Sequence, residues 1–267
     1  MISSDGRERV VGVTVCNEKL FVLRGESKQR IEQYNVKTFN ELTSITVNGL
    51  RDGVYSWYKT LTSCNVNNCL YVNDRYNVFR VDLSTNNVIS WPVVGHPHGL
   101  SVNRTSNVLV TCIDDHTIKE YSSSGSLVRS IQLKLNHVKS PYHSVQLTDG
   151  RYVVSHQGPE QYHGVSLIDE HGALIATYRN SETTKLMNGL RWIVVVNNSI
   201  LVADRNNKRI LLLNTSLSDA RQLSSPVNSQ LNLPCCMYLD QSSGRLFVGE
   251  SSGERRVFIF DNINLNC

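Results

Sequence analysis

The chain has 267 residues, a formal net charge of +4 and 40% hydrophobic residues. This composition can support a buried core, and no run of eighteen apolar residues is present that could span a membrane. The first residues lack the basic-then-apolar order of a secretory signal, and seven cysteines do not make the even framework of a small secreted domain. We therefore expect a cytoplasmic protein with reduced thiols, although Cys64 and Cys69 could bridge across a hairpin.

Taken in chain order, one pattern recurs: a short apolar strand, a polar turn and a second apolar strand. It is clearest where Leu201-Val202-Ala203 leads through the turn Asp204–Arg209 into the next apolar run. The mean spacing of the pattern is about 45 residues, the size of a four-stranded propeller blade. The residues that begin the second strand of each unit are Leu20, Leu70, Leu109, Tyr152, Leu201 and Leu246.

Six such units predict a single all-β domain, a six-bladed β-propeller of four-stranded antiparallel blades. One blade is too small to bury both of its faces, so the blades must pack on one another. The last unit has only three clear strands, and we expect N-terminal residues to pair with Val257–Phe260 and close the ring. The expected blades are 9–50, 51–94, 95–138, 139–185, 186–230 and 231–267.

The stretch Leu-Val-Ala-Asp-Arg-Asn-Asn-Lys-Arg-Ile at 201–210 resembles NHL repeats, as does Gly-Leu-Ser-Val at 99–102 before Leu-Val-Thr at 109–111. The Asn-His-Leu signature itself is not spelled out. NHL propellers are typically the partner-binding part of larger proteins, including tripartite-motif ubiquitin ligases, and some bind single-stranded RNA. The resemblance therefore implies a non-enzymatic binding module, for example in substrate recognition for a ubiquitin ligase. The chain has no RING-like cysteine and histidine spacing, so ligase activity itself is not expected.

Side chains at the start of each inner strand should point into the central channel and its rim. A second resemblance begins here, because His98 and His143 open segments similar to the zinc-bearing strand starts in the lyase domain of peptide-amidating monooxygenases. It implies a zinc-dependent lyase as an alternative, with Cys235 or His96 as a further ligand. That family has three histidines on alternate blades, whereas these two lie on adjacent blades. We favour rim histidines hydrogen-bonded to backbone and expect no metal or cofactor. The channel positions by register are Val11, Trp57, His98, His143, Arg191 and Cys235.

Other enzyme motifs are absent from the sequence, including the Gly-x-Ser-x-Gly elbow, the phosphate loop and His-Glu-x-x-His. The expected channel positions include no carboxylate that could hold calcium. Asp114, Asp115 and Asp204 lie in polar turns, where Asp commonly binds the backbone of its own turn.

The loops leading into the inner strands should share one face with the turns between second and third strands, and this face is mildly basic. Basic and aromatic residues together suit single-stranded nucleic acid, and the turns of blades five, six and one would form a basic arc. The isoelectric point of about 8.7 is lower than that of a typical nucleic-acid-binding domain. We therefore favour a protein partner over RNA and expect a monomeric module. The candidate binding residues are Arg30, Trp57, Arg75, His98, His143, Arg191, Trp192, Arg205, Lys208, Arg209, Arg255 and Arg256.

Overall fold

The computed structural model describes residues 2, 8–25, 30–51, 58–134, 140–157, 163–178, 187–223, 231–261 and 263. These residues form six antiparallel sheets, five of four strands and one of three. Each sheet is a blade whose strands follow in chain order from the channel outward. The predicted six-bladed β-propeller is confirmed. Within the described ranges, no helix has the length and hydropathy needed to cross a bilayer.

The strand bounds follow the predicted repeat, and every predicted second-strand start lies in the second strand of its blade. Blade one contains β1 (Val10–Cys16), β2 (Lys19–Arg24), β3 (Arg30–Asn35) and β4 (Glu41–Thr46). Blade two contains β5 (Thr60–Cys64), β6 (Cys69–Asn73), β7 (Asn77–Asp82) and β8 (Val88–Pro92). Blade three contains β9 (Pro97–Val102), β10 (Val108–Cys112), β11 (Thr117–Tyr121) and β12 (Leu127–Gln132). Blade four contains β13 (Ser140–Gln146), β14 (Tyr152–Gln157), β15 (His163–Ile168) and β16 (Leu174–Tyr178). Blade five contains β17 (Leu190–Val196), β18 (Ser199–Asp204), β19 (Arg209–Asn214) and β20 (Ala220–Gln222). Blade six contains β21 (Pro234–Asp240), β22 (Arg245–Glu250) and β23 (Val257–Phe260).

Burial explains the sequence pattern of the strands. The second strand of a blade is packed on both faces by neighbouring blades, so it reads as a nearly continuous apolar run. In blade five all six residues of β18 are buried. The outer strand faces solvent, and in blade three only Ile131 of β12 is buried. The core therefore lies between the blades.

Blades one and six are joined by contacts that close the ring. Ile2 forms an isolated antiparallel bridge with Val257, and its side chain is buried in the core between these blades. The Ile2 N–H donates to the Val257 carbonyl at 3.3 Å, and the Val257 N–H donates back at 3.1 Å. Arg24 Nη1 also donates to the carbonyl oxygen of Arg255 at 2.9 Å. Ile2 thus pairs with the outermost described strand of blade six.

A β-bulge interrupts the pairing of the first two strands in five of the six described sheets. A bulge inserts one extra residue on one strand and re-aims a side chain. In blade two, by contrast, β5 pairs with β6 without a register shift. All five bulges occur where the chain begins its innermost strand, so they determine which side chains face the channel mouth. The residues in the bulges are Val11, His98, Tyr142, Arg191 with Trp192, and Cys235.

Candidate functional site

The mouth of the channel contains a recess of about 40 Å³, which we call the cationic recess. Four of the residues that line it are Arg or Lys, and none of the described lining residues is Asp or Glu. Positive charge that converges on a partly enclosed space creates a strong local potential that attracts anions. The lining residues are Arg9, Val11, Lys59, Thr60, His98, Arg191, Trp192, Arg205, Cys235 and Ser251.

Five of the six blades, all except blade four, supply the polar lining described for the recess. Arg9 immediately precedes β1, and Lys59 immediately precedes β5. Arg205 begins the short 3-10 turn that joins β18 to β19. Ser251 directly follows β22. The recess therefore combines residues far apart in sequence, which only ring closure brings together.

Arg191 is held in place by a neutral histidine and an aromatic ring. Its Nη1 donates to Nε2 of His98 at 3.2 Å, and its guanidinium lies 4.6 Å from the centroid of the Tyr142 ring. With Nε2 accepting, His98 carries its proton on Nδ1 and donates it to the Tyr142 carbonyl at 3.0 Å. Burial, aided by the Arg191 charge, lowers the pKa of His98 to about 3. His98 is thus a neutral residue that positions Arg191.

Two neutral groups accept hydrogen bonds from Arg205. Its Nε donates to Ser251 Oγ at 3.2 Å and its Nη1 to Asn206 Oδ1 at 2.9 Å. Burial lowers the pKa of Arg205, and the positive charges of Arg191 and Arg9 lower it further. Like charges are therefore crowded at the recess, and an anion bound there would relieve their repulsion.

Cys235 contributes a thiol to the recess. Its Sγ donates to the Val10 carbonyl at 2.8 Å and lies 3.5 Å from the Gly249 carbonyl. The hydrogen bond from Cys236 lowers the pKa of the Cys235 thiol, and the Arg205 charge contributes to the same shift. Of the six cysteines in the described ranges, Cys235 alone is not fully buried.

The floor of the recess is a pair of stacked rings. Trp192 stacks on His143 with ring centroids 4.1 Å apart. Trp192 lines both the cationic recess and a second compartment of about 520 Å³ on the other side, whereas His143 lines only the second compartment. The channel is thus divided in two at this ring pair.

His143 links three inner strands through its ring nitrogens. Its Nε2 donates to the Leu100 carbonyl at 2.9 Å, and its Nδ1 accepts the Ile193 N–H at 3.3 Å. Burial lowers the pKa of His143 to about 4. Sequence register places His143 at the channel mouth, but the bulge at Tyr142 shifts it by one position towards the second compartment.

The zinc-lyase alternative does not fit these contacts. The ring nitrogens of His98 and His143 all have hydrogen-bond partners, so no lone pair is left for a metal without breaking them. His96, considered as a further ligand, contacts the Asp114 carboxylate. Within the described ranges, no group of three or more His, Cys, Asp or Glu is close enough to hold a metal ion.

The expected basic arc over blades five, six and one is largely compensated within the blades. Arg209 Nε lies 2.7 Å from the Asp204 carboxylate. Arg256 pairs with Glu250 at 3.1 Å and with Glu254 at 2.7 Å. These pairs connect the end of a second strand or its turn with the beginning of the third, so their charges cancel locally.

Three other candidates on this side of the propeller lie outside the cationic recess. Arg30 Nη2 lies 3.4 Å from Glu32, and Arg255 is fixed to blade one through its carbonyl. Lys208 is exposed, and its Nζ donates to Asn232 Oδ1 at 3.4 Å.

Arg75 and Trp57 are the other two candidates predicted from the sequence. Arg75 is half-buried, with its guanidinium 5.4 Å from the centroid of the Tyr58 ring and 5.7 Å from that of Tyr76. Trp57 lies outside the described residues. Of the predicted candidates, the structure brings His98, Arg191, Trp192 and Arg205 together at the recess.

Asp204 has a different role from the one expected of it. Its Oδ1 accepts the N–H of Asn188 at 2.8 Å, in the loop that leads into blade five. Within its own turn, Asp204 accepts hydrogen bonds from the Asn207 side chain at 3.0 Å and 2.9 Å but makes no side-chain cap to the backbone. Glu250 makes the equivalent contact with the Asn232 N–H at 2.8 Å. Asp74 accepts the Arg51 N–H at 3.4 Å in blade two. An acidic residue after the second strand thus holds the incoming loop in three blades.

The chain matches no protein-family model and no curated protein. Its fold is similar to that of a protein of unknown function from Bacteroides caccae, with a TM-score of 0.71, 15% identity, and coverage of 91% of this chain and 89% of that one. It is also similar to a catalytically inactive virginiamycin B lyase from Staphylococcus aureus crystallised with quinupristin, with a TM-score of 0.66, 11% identity, and coverage of 98% and 87%. A streptogramin B lyase structure gives a TM-score of 0.65 at 10% identity, with coverage of 98% and 86%. At these identities the likenesses show similarity of fold alone.

Proposed function

We propose that this chain is a rigid binding module for a partner protein, and that one anionic group of the partner is held in the cationic recess. The observation that carries the proposal is the convergence of Arg9, Lys59, Arg191 and Arg205 on a space whose described lining contains no carboxylate. A charge buried at an interface is stabilised when preoriented groups of opposite charge surround it. The NHL-like sequence of blade five supports a partner-binding role, such as substrate recognition in a ubiquitin ligase.

The charge distribution favours a protein partner over single-stranded RNA. An RNA strand presents a phosphate at each nucleotide and is usually bound along an extended basic groove. Here the turn cations Arg209 and Arg256 pair with carboxylates of their own blade. The positive charge converges instead on a recess of about 40 Å³, which suits one anionic group better than a polymer backbone.

We do not propose lyase activity for this chain on the basis of its structural neighbours. At 10 to 12% identity, the streptogramin and virginiamycin B lyases share only the fold with it. The channel histidines His98 and His143 are neutral, and each ring nitrogen has a hydrogen-bond partner. Both act here as supports for neighbouring groups.

Panning of a phage-displayed library of random peptides tests the proposal. The library is selected in parallel on the wild-type protein, on Arg205→Met and on Arg104→Met. Arg104 is an exposed arginine in the turn between β9 and β10, at the opposite face of the propeller, so its loss removes the same charge outside the recess. We expect the wild type and Arg104→Met to enrich acidic peptides whose binding Arg205→Met weakens about tenfold or more.

Two results would contradict this function. Selected peptides that lack acidic residues, or that bind Arg205→Met as well as the wild type, would show that the recess does not take part in partner binding. Filter binding of a random single-stranded RNA pool supplies the second test. If the protein binds RNA in a salt-dependent way and more tightly than it binds the selected peptides, then RNA rather than a protein is the partner.

A further inference from the structure

We infer that the anionic group accepted by the cationic recess is a carboxylate rather than a phosphate or a sulfate. This inference rests on the proposed function, because it names the chemistry of the group that the same recess would hold.

The recess is small and partly enclosed, with a volume of about 40 Å³, so it suits one anionic group. The groups on its wall, rather than its size, distinguish a carboxylate from a tetrahedral oxyanion.

The wall of the recess includes both polar and apolar groups. Arg191, Arg205 and Lys59 supply cationic donors, and guanidinium groups bind planar carboxylates through parallel hydrogen bonds. Val11 and Trp192 supply apolar surface to the same space. The hydrocarbon next to a carboxylate can rest on such a surface. A tetrahedral oxyanion would instead place an oxygen against it, where no donor can replace lost water.

Cys235 offers a chemical readout of occupancy, because its Sγ lines the same recess. Iodoacetate is a small carboxylate with an electrophilic carbon, and iodoacetamide is its neutral analogue. In either reaction the thiolate sulfur of Cys235 forms a bond to the CH₂ carbon while iodide leaves, and the thiol proton goes to solvent. If the recess selects carboxylates, iodoacetate should be concentrated beside this sulfur.

The experiment measures alkylation rates at Cys235 by peptide mass spectrometry, which separates this cysteine from the other six in the chain. The ratio of the iodoacetate rate to the iodoacetamide rate in the folded protein is divided by the same ratio in the guanidinium-denatured protein. Electrostatic attraction should raise this normalised ratio about tenfold or more, as steering by a charged cleft does. Arg205→Met should return it towards one, and Arg104→Met should leave it unchanged.

Competition distinguishes the class of anion. Sodium acetate should slow alkylation of Cys235 more than sodium phosphate or sulfate does at the same ionic strength. Stronger protection by phosphate would overturn the carboxylate assignment and leave an anion site, and with it the proposed function, intact. A normalised ratio near one together with no protection by any anion would remove the anion site itself.

Thermal denaturation provides a readout that does not depend on access to the thiol. The melting temperature is measured in acetate, phosphate and chloride for the wild type and for Arg205→Met. Subtracting the salt-induced shift in melting temperature of Arg205→Met from that of the wild type cancels the general salt effects that both proteins share. We expect the remaining shift to be largest in acetate, and a shift that is largest in phosphate, or absent, would overturn the inference.

Discussion

Trp192 lies parallel to His143, with their ring centroids 4.1 Å apart and their planes inclined by 19°. This pair forms the floor of the cationic recess and the roof of the second compartment. Because His143 also bonds the backbone of Leu100 and Ile193, the floor is fixed to three neighbouring inner strands. The recess is thus pre-formed by the propeller.

Replacement of His143 by Leu should destabilise the propeller by about 2–4 kcal/mol, because two buried backbone groups lose their partners. His171→Ala is the control, since the His171 side chain is 75% exposed and should have little influence. Urea denaturation of the two variants and the wild type measures the difference. Equal stability of the two variants would show that His143 does not link the inner strands.

The stability of the fold should fall between about pH 6.5 and pH 4 because of His98 and His143, whose ordinary pKa is near 6.5. The folded protein lowers these pKa values to about 3 and about 4, so in this range the unfolded chain binds more protons. Stability therefore rises with pH here, and the contribution is complete above about pH 6.5.

Each of these histidines can add up to about 1.4 kcal/mol per pH unit to that slope. Urea denaturation at a series of pH values measures it. His98→Gln should reduce the slope of unfolding free energy against pH by the contribution of His98. An unchanged slope in this variant would mean that His98 is protonated in the folded protein as it is in the unfolded chain.

Asp204→Ala should lower the free energy of unfolding by about 3–5 kcal/mol, the range found when one partner of a buried ion pair is removed. Its side chain is 0% exposed and binds the Asn188 N–H and the Arg209 guanidinium. Asp149→Ala removes the partner of Arg151 in an exposed pair and should have little effect. Chemical denaturation measures both, and a small loss for Asp204→Ala would show that the loop before blade five is held by other contacts.

Arg209→Glu and Lys208→Glu should differ sharply in stability even though the residues are adjacent. Arg209 is 12% exposed and faces Asp204, so a glutamate there would bring two carboxylates together in a buried setting. Lys208 is exposed, and its reversal should leave the melting temperature nearly unchanged. Scanning calorimetry of both variants provides the measurement, and equal melting temperatures would mean that the Arg209 pair is not formed in solution.

The repeat pattern was sufficient to predict the propeller because second strands buried on both faces carry a strong local signature. The channel residues were harder to predict, because a β-bulge is a local backbone conformation that leaves no such signature in the sequence. The bulge at Tyr142 moves His143 into the second compartment, and the lysine before β5 reaches the recess. A usable signal did exist, because Arg9 and Lys59 each directly precede an inner strand.

The charge pattern failed as a guide for a different reason. Arg209 was predicted to face a partner, but it is paired across the hairpin with Asp204, directly opposite in the strand register. Cross-strand pairs of this kind can be found from sequence only after the register has been assigned. Counting charges by loop overlooks them.

Anomalous diffraction from crystals soaked in sodium bromide can show whether the cationic recess binds an anion. Bromide is a monatomic anion that fits the recess and scatters anomalously. We predict that the strongest anomalous peak lies in the recess, within contact distance of Arg205 and Arg191. Bromide peaks at surface cations together with an unoccupied recess would contradict the account.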